Sequence, residues 1–309
     1  FISIGEYIMQ SFSRGWSFLK QAWSMAFQDK DLIKPSIYAL IVGSIISVIG
    51  AIPIILVAIF LGDTGRLGQF VLAVMGAFLV FLNFVVSYVF SGMTVYLIYE
   101  YLTHGDGRMR TAWSIVRRDF FDLAALAAAS TVVNVLKNAA RRNRQRGGGL
   151  AASLLSSATG LLEVLWTEVS YLILPAMVIE DVSLVEGAKR VAQIVRDNLL
   201  LVGISTVGVR AVTGLIGFVL AVAGALLGFG IGYGIIAILG TGTLGLVFGI
   251  GLGILIFFTF TMVASVISTY TTTAYHTCLY LWAREVEKAQ TAGQPIQISA
   301  PAPLAAVLG

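Results

Sequence analysis

The chain has 309 residues, 58% of them hydrophobic and 12% charged, with a formal net charge of +4. Soluble domains run nearer to about 45–50% apolar and about 25% charged, so this balance excludes an ordinary water-soluble globule and points to a bilayer as solvent. The single Cys278 excludes an intrachain disulfide framework, and two histidines leave little for a metal site.

Several apolar runs exceed the roughly 20 residues that carry a helix across hydrocarbon, where backbone groups must be paired within the segment. The ten-residue alternating segments of a membrane barrel are missing. Residues 1–30 carry charges throughout and lack the continuous apolar stretch of a signal peptide, so they read as mature protein. Within them Ile4, Ile8, Phe12, Trp16, Leu19, Trp23 and Phe27 recur at three- and four-residue steps, predicting an interfacial amphipathic helix over 4–27. Spans follow at 35–61 and 70–102, the second longer than a perpendicular crossing requires. Residues 107–119 repeat the opening theme, with Met109, Ala112, Trp113, Val116 and Phe120 on one side, arginines on the other and Asp106 placed to cap. An alanine-rich span at 120–138 ends in Lys137, Arg141, Arg142, Arg144 and Arg146, and a fourth runs over 150–178. Ser183 and Glu186 have capping-box spacing and open a third amphipathic helix, 183–197, with Val185, Ala188, Val191, Ala192 and Val195 on one side.

Ile115 to Asp119 and Ile194 to Asp197 each close a basic amphipathic helix before an apolar run, and Asp29-Lys30-Asp31 fills the same slot. Three units emerge, each an interfacial helix and a two-span hairpin. The last unit, spanning 199–238 and 244–282, is much longer than two crossings need. Gly224, Gly228 and Gly232, and again Gly245, Gly249 and Gly253, fall at four-residue steps that let helices approach closely. One long hairpin turning near Gly240-Thr241-Gly242 is the simplest reading; a re-entrant or broken pair of helices competes with it.

Basic residues near the first span, in 108–118 and around 189–196 share one side of a six-span count, which predicts a cell-membrane protein with both termini cytoplasmic. The Lys137–Arg146 cluster falls on the other side. Either 120–138 does not fully span, or Arg141, Arg142, Arg144 and Arg146 serve another purpose such as contact with anionic lipid. Charges inside spans are costly and hence informative. Glu168 and Arg210 reach about the same depth and are placed to pair, while Glu163 is level with Asn134 on a possible polar path. Such a pair reads either as an ion, proton or solute site or as a buried bridge that fixes helix packing. His276 and Cys278, two apart, are poor geometry for a shared metal, and Gly228 to Gly232 lacks the strand–turn–helix setting of a dinucleotide loop. No catalytic set stands out, no cofactor is implied, and the arginine run beside apolar spans argues for lipid rather than nucleic acid.

The segment Tyr171 to Asp181, with Leu174-Pro175-Ala176 and Val178 before Glu180-Asp181, is followed by Glu186-Gly187-Ala188 and a basic helix. It resembles the signature of prokaryotic six-span membrane families related to the membrane domain attached to some glycerophosphoryl diester phosphodiesterases. The closing segment Ala274 to Trp282 is similar to the aromatic end of such domains. The resemblance covers about residues 15–285, the glycine-rich region departs from it, and it implies architecture without a defined chemistry.

The reading is thus an all-α polytopic membrane protein of about six transmembrane helices in three repeats. Residues 1–289 form one integral membrane domain, and 290–309 an Ala/Pro-rich tail expected to be disordered unless a neighbouring subunit orders it. A non-enzymatic scaffold, accessory or lipid-organising role leads, in contact with membrane lipids and in a homo-oligomer or with a membrane-protein partner. A transporter or channel using Glu163, Glu168 and Arg210 is the alternative, and a lipid-modifying enzyme comes third.

Overall fold

The computed structural model describes residues 4–61, 65–145, 150–197, 199–292, 300–301 and 303–305, which form helices and no strand. α1 (Ile4–Gln28) leads through a 3-10 turn (Lys30–Leu32) into α2 (Lys34–Leu61) and α3 (Arg66–His104). α4 (Met109–Arg118), α5 (Phe120–Gln145) and α6 (Leu150–Glu180) follow, then α7 (Leu184–Asp197), α8 (Leu199–Leu239) and α9 (Thr243–Thr291). Among the described residues six segments are long and apolar enough to cross a membrane: Lys30–Phe60, Arg66–His104, Phe120–Arg142, Ser157–Glu180, Val209–Leu239 and Thr243–Ala289. The chain is therefore a multi-pass α-helical membrane protein. Its order is that of three units, each a shorter amphipathic helix followed by two long helices packed on one another.

Packing is tight at the end of the bundle where α1, α4 and α7 sit. Phe18 and Ala22 of α1, Leu97 and Ile98 of α3, Val116 of α4, Leu126 of α5, Leu172 to Leu174 of α6 and Tyr275 of α9 are all but inaccessible. At the far ends the hairpins expose apolar side chains, with Phe60 77% and Ile238 84% accessible. In lipid such surface carries no hydrophobic penalty, so the sequence can leave it uncovered.

Each amphipathic helix turns one face into the core. α1 turns Phe18, Leu19, Ala22, Met25 and Ala26 inward, while Trp16 and Phe27 stay exposed. Small and flexible residues let α1 lie close to α9, where the Tyr270 hydroxyl donates to the Ala22 carbonyl at 2.9 Å. On α7 Gly187, Val191 and Ile194 are buried among the described side chains, whereas Val185 is 62% accessible. A Cβ on Gly187 would meet Met177 Cγ at 3.3 Å, so the glycine is what seats α7 against α6.

Acidic side chains join the units. The Asp29 carboxylate accepts from Asp31 N–H at 2.9 Å and, with its other oxygen, from Gly107 N–H at 2.8 Å ahead of α4. Asp122, on the first turn of α5, accepts from Leu184 N–H at 3.2 Å at the start of α7. In each case an acid near the head of one hairpin satisfies a backbone donor at the head of the next unit. Asp106 does not cap α4: Arg108 holds the N-cap position without a side-chain cap, and its backbone N–H donates to the buried Glu100 at 2.9 Å. Ser183 and Glu186 form the reciprocal box, with Ser183 N–H to Glu186 Oε2 at 3.2 Å and Glu186 N–H to Ser183 Oγ at 3.4 Å. Arg118 bonds to Asp119 and reaches Asp181 at 3.0 Å, and the hydrogen bond to Asp119 raises its guanidinium above the ordinary value.

α8 and α9 form a continuous hairpin turning at Gly240, whose φ of +80° ends α8 in the left-handed conformation that glycine adopts without strain. Neither helix is broken or re-entrant. Of the tail, residues 300–301 and 303–305 are described: Leu304 is fully buried within the main core, against which Ala300 also packs.

Candidate functional site

Where α6, α8 and α9 meet, the intramembrane charges converge. Arg210 of α8 forms an ion pair with Glu168 Oε1 of α6. The other carboxylate oxygen, Oε2, lies 2.9 Å from Nε2 of His276 on α9, a residue that spacing had singled out only as a poor metal ligand. His276 is 2% accessible, against 19% for the Glu168 side chain and 39% for Arg210. Its Nδ1 stands 2.7 Å from the Thr272 carbonyl one turn earlier, which sets the direction of the ring. Tyr171, three residues after Glu168 and on the same helix face, stacks on the imidazole with ring centres 5.2 Å apart and planes 23° from parallel. Tyr275 closes the other side edge-on at 5.2 Å. Three helices are thus tied through one carboxylate.

Beside the triad a small cavity of about 120 Å³ lies among α3, α5 and α6. Tyr88, Ser130, Asn134, Trp166, Ser170 and Tyr171 line it. Ser130 Oγ accepts from Trp166 Nε1 at 2.8 Å and shares a hydrogen bond of 2.7 Å with the Tyr88 hydroxyl. Tyr171 faces both the cavity and His276. Asn134 accepts from Asn138 at 2.9 Å and contributes to the wall. The side chain of Glu163, proposed to share a path with Asn134, lies outside the described residues. A second hollow of about 640 Å³ among α2, α3 and α9 carries Ser36, Ser44, Ser47, Asn83, Ser265 and Thr269, and it shares Ser87 with the first.

The glycine sets meet in part as cross-helix pairs. Gly228 faces the backbone of Gly253, and a Cβ on Gly232 would stand 2.6 Å from the Gly249 carbonyl oxygen. Gly224 instead packs on Phe260, and Gly245 on the turn at Gly240. Of the arginine cluster, Arg141 and Arg142 are exposed on the last turns of α5, while the side chain of Arg144 and all of Arg146 fall outside the described residues.

Among the described residues no group of three or more His, Cys, Asp or Glu side chains is arranged to hold a metal ion. Cys278 is buried and unpaired with another cysteine. A lone histidine in an apolar span was the signal that pointed to the triad, since an ionisable group there needs a partner; read only for metal chemistry, it was missed. No protein-family model and no curated protein matches this chain.

Proposed function

We propose that this protein is a non-enzymatic scaffold or accessory component of a membrane assembly, organised through the long α8–α9 hairpin. One observation carries the proposal. α8 has 41 residues and α9 has 49. At ~1.5 Å per residue they extend ~60 and ~74 Å, about twice the ~30 Å hydrocarbon thickness. The helices are zipped to each other at Gly228, Gly232, Gly249 and Gly253, and they carry exposed apolar side chains out to the turn, with Phe229 76% and Leu244 72% accessible. Apolar surface beyond one crossing must tilt within lipid or be covered by other apolar chains, and a homo-oligomer or a membrane-protein partner supplies that cover. The charge pattern supports a cell-membrane location with both termini cytoplasmic and with α1, α4 and α7 at the interface. Arg141 and Arg142 then face anionic headgroups on the opposite side. The sequence resemblance to six-span prokaryotic domains supports the architecture, and the role does not rest on it.

Transport is the second reading, favoured by the Glu168–Arg210–His276 network and by the cavity next to it, into which Tyr88, Ser130 and Asn134 bring polar groups. A cryo-EM map of the detergent-free assembly in native lipid separates the two. The scaffold proposal expects several chains with the α8–α9 tips against protein and no solute at Glu168. A single chain surrounded by lipid, with a hydrated path or bound solute reaching Glu168, overturns it in favour of transport.

A further inference from the structure

His276 and Glu168 meet in a way that fixes a proton count. Nδ1 of His276 lies 2.7 Å from the Thr272 carbonyl oxygen. A carbonyl oxygen only accepts, so Nδ1 bears the hydrogen and donates. In a neutral ring of that tautomer Nε2 has only a lone pair. That nitrogen stands 2.9 Å from Glu168 Oε2, and an ionised carboxylate also has only lone pairs to offer. Two acceptors facing at this distance repel, and burial of the His276 ring, 2% accessible, makes the mismatch expensive. One further hydrogen resolves it, either as an imidazolium donating to the carboxylate or as a protonated Glu168 donating to the neutral ring. The two descriptions have the same composition: one proton between Oε2 and Nε2.

We infer that Glu168 and His276 form a buried proton-binding site, with Arg210 as its fixed counter-charge. The ligand is a hydrogen ion, and the site is built from three helices. α8 supplies Arg210 on the far carboxylate oxygen. α6 supplies Tyr171 against the ring face, and α3 supplies Tyr88 in the cavity that Tyr171 also lines. α9 itself adds Tyr275 edge-on to the His276 ring, while Cys278, two residues on, is buried on another side of the helix. α1, packed on α8 and α9, leaves Arg14 and Lys20 exposed, and α2, packed on α9, has no charged residue after Lys34. α5, packed on α6, carries Asp122 in its first turn and its basic residues from Lys137 onward.

Proton occupancy changes what is joined to what. With the proton bound, one carboxylate ties α6 to both α8 and α9, and the group carries one net positive charge. When the proton leaves to solvent, the Arg210–Glu168 pair remains and the link to α9 becomes a repulsion between lone pairs. The site thus reports protonation as attachment or release of α9 at this level of the bundle, whichever role the whole chain performs.

The test uses the full chain in lipid nanodiscs with 15N-labelled histidine. His104 is the only other histidine, and a His104→Gln background leaves a single ring to observe. At neutral pH the expected spectrum shows hydrogen on both ring nitrogens. The equivalent form is hydrogen on Nδ1 with Nε2 accepting, accompanied by the infrared C=O band of a protonated carboxyl. Glu168→Gln then removes that proton: the ring becomes neutral with hydrogen on Nδ1 alone, and the acid band is absent. A wild-type ring with hydrogen on Nε2 alone overturns the inference. So does a neutral Nδ1–H ring beside an ionised Glu168. If Glu168→Gln does not fold, the double variant Glu168→Gln/Arg210→Gln removes both charges together and must show the same loss, while the wild-type spectrum stands by itself.

Discussion

Substituting alanine for Gly232 tests whether the α8–α9 hairpin is held by direct backbone contact. The added Cβ would lie 2.6 Å from the Gly249 carbonyl oxygen, where ordinary contact begins near 3.4 Å. The obstructing atom is backbone and cannot swing aside, so the helices must part by about 0.8 Å along this stretch, and a close-packed seam transmits that shift to its neighbours. Overpacking of this kind costs about 1–3 kcal/mol. Replacing glycine in a helix also gains about 0.5–1 kcal/mol of backbone propensity, which would blur a single measurement. Gly230, two residues away on the same helix, has nothing within 4 Å of its added Cβ. Gly230→Ala therefore receives the propensity gain without the clash, and the difference between the two variants isolates the steric cost at about 1–3 kcal/mol. The assay is reversible unfolding in mixed micelles with increasing denaturing detergent, followed by circular dichroism and by fluorescence of a dye placed near the turn. Equal stability of Gly230→Ala and Gly232→Ala refutes the contact, and with it the idea that the glycine steps exist to bring these helices together.

Removing Arg210 as Arg210→Met takes one of the two partners from Glu168 and leaves the contact with His276; because the Arg210 side chain is 39% accessible, a screened loss of about 1 kcal/mol is expected in the same unfolding assay. Glu168→Gln/Arg210→Gln should recover much of it, and failure of the double variant to recover would deny the pairing. Ser130→Ala strips a partner from both Tyr88 and Trp166, for which a cost of about 1–3 kcal/mol is expected, together with a shifted Trp166 emission; an unchanged spectrum counts against that network. Leu304→Ala opens a hole in the main core and should cost about 2–5 kcal/mol, whereas a stability equal to wild type would mean that the tail does not dock on its own chain.

Much of the architecture was readable from local signals. Hydropathy located all six candidate spans, the Ser183 and Glu186 spacing announced the cap that α7 uses, and Gly240 marked the turn of the long hairpin. Periodicity marked the apolar side of α1 and α7, and packing decided which of those residues meet the core: Leu19 and Val191 are buried, while Trp16 and Val185 stay outside, where a membrane accepts them. Within the Ala/Pro-rich tail, whose composition is that of a disordered segment, Leu304 is nonetheless fully buried in the main core.

Depth along each helix is a one-dimensional quantity, which is why counting residues from the span ends sufficed to bring Glu168 and Arg210 to one level. The composition likewise determined by itself that this is a helical membrane protein, because the bilayer accepts few other backbone arrangements. Only the tertiary structure decided that His276 completes the group, that Tyr171 stacks on it, and that Asp29 and Asp122 tie one unit to the next. Such meetings depend on how each helix is turned about its own axis, and with about 100° of rotation per residue, a shift of one position carries a side chain away from its partner. That rotation is set by packing against helices far away in the chain.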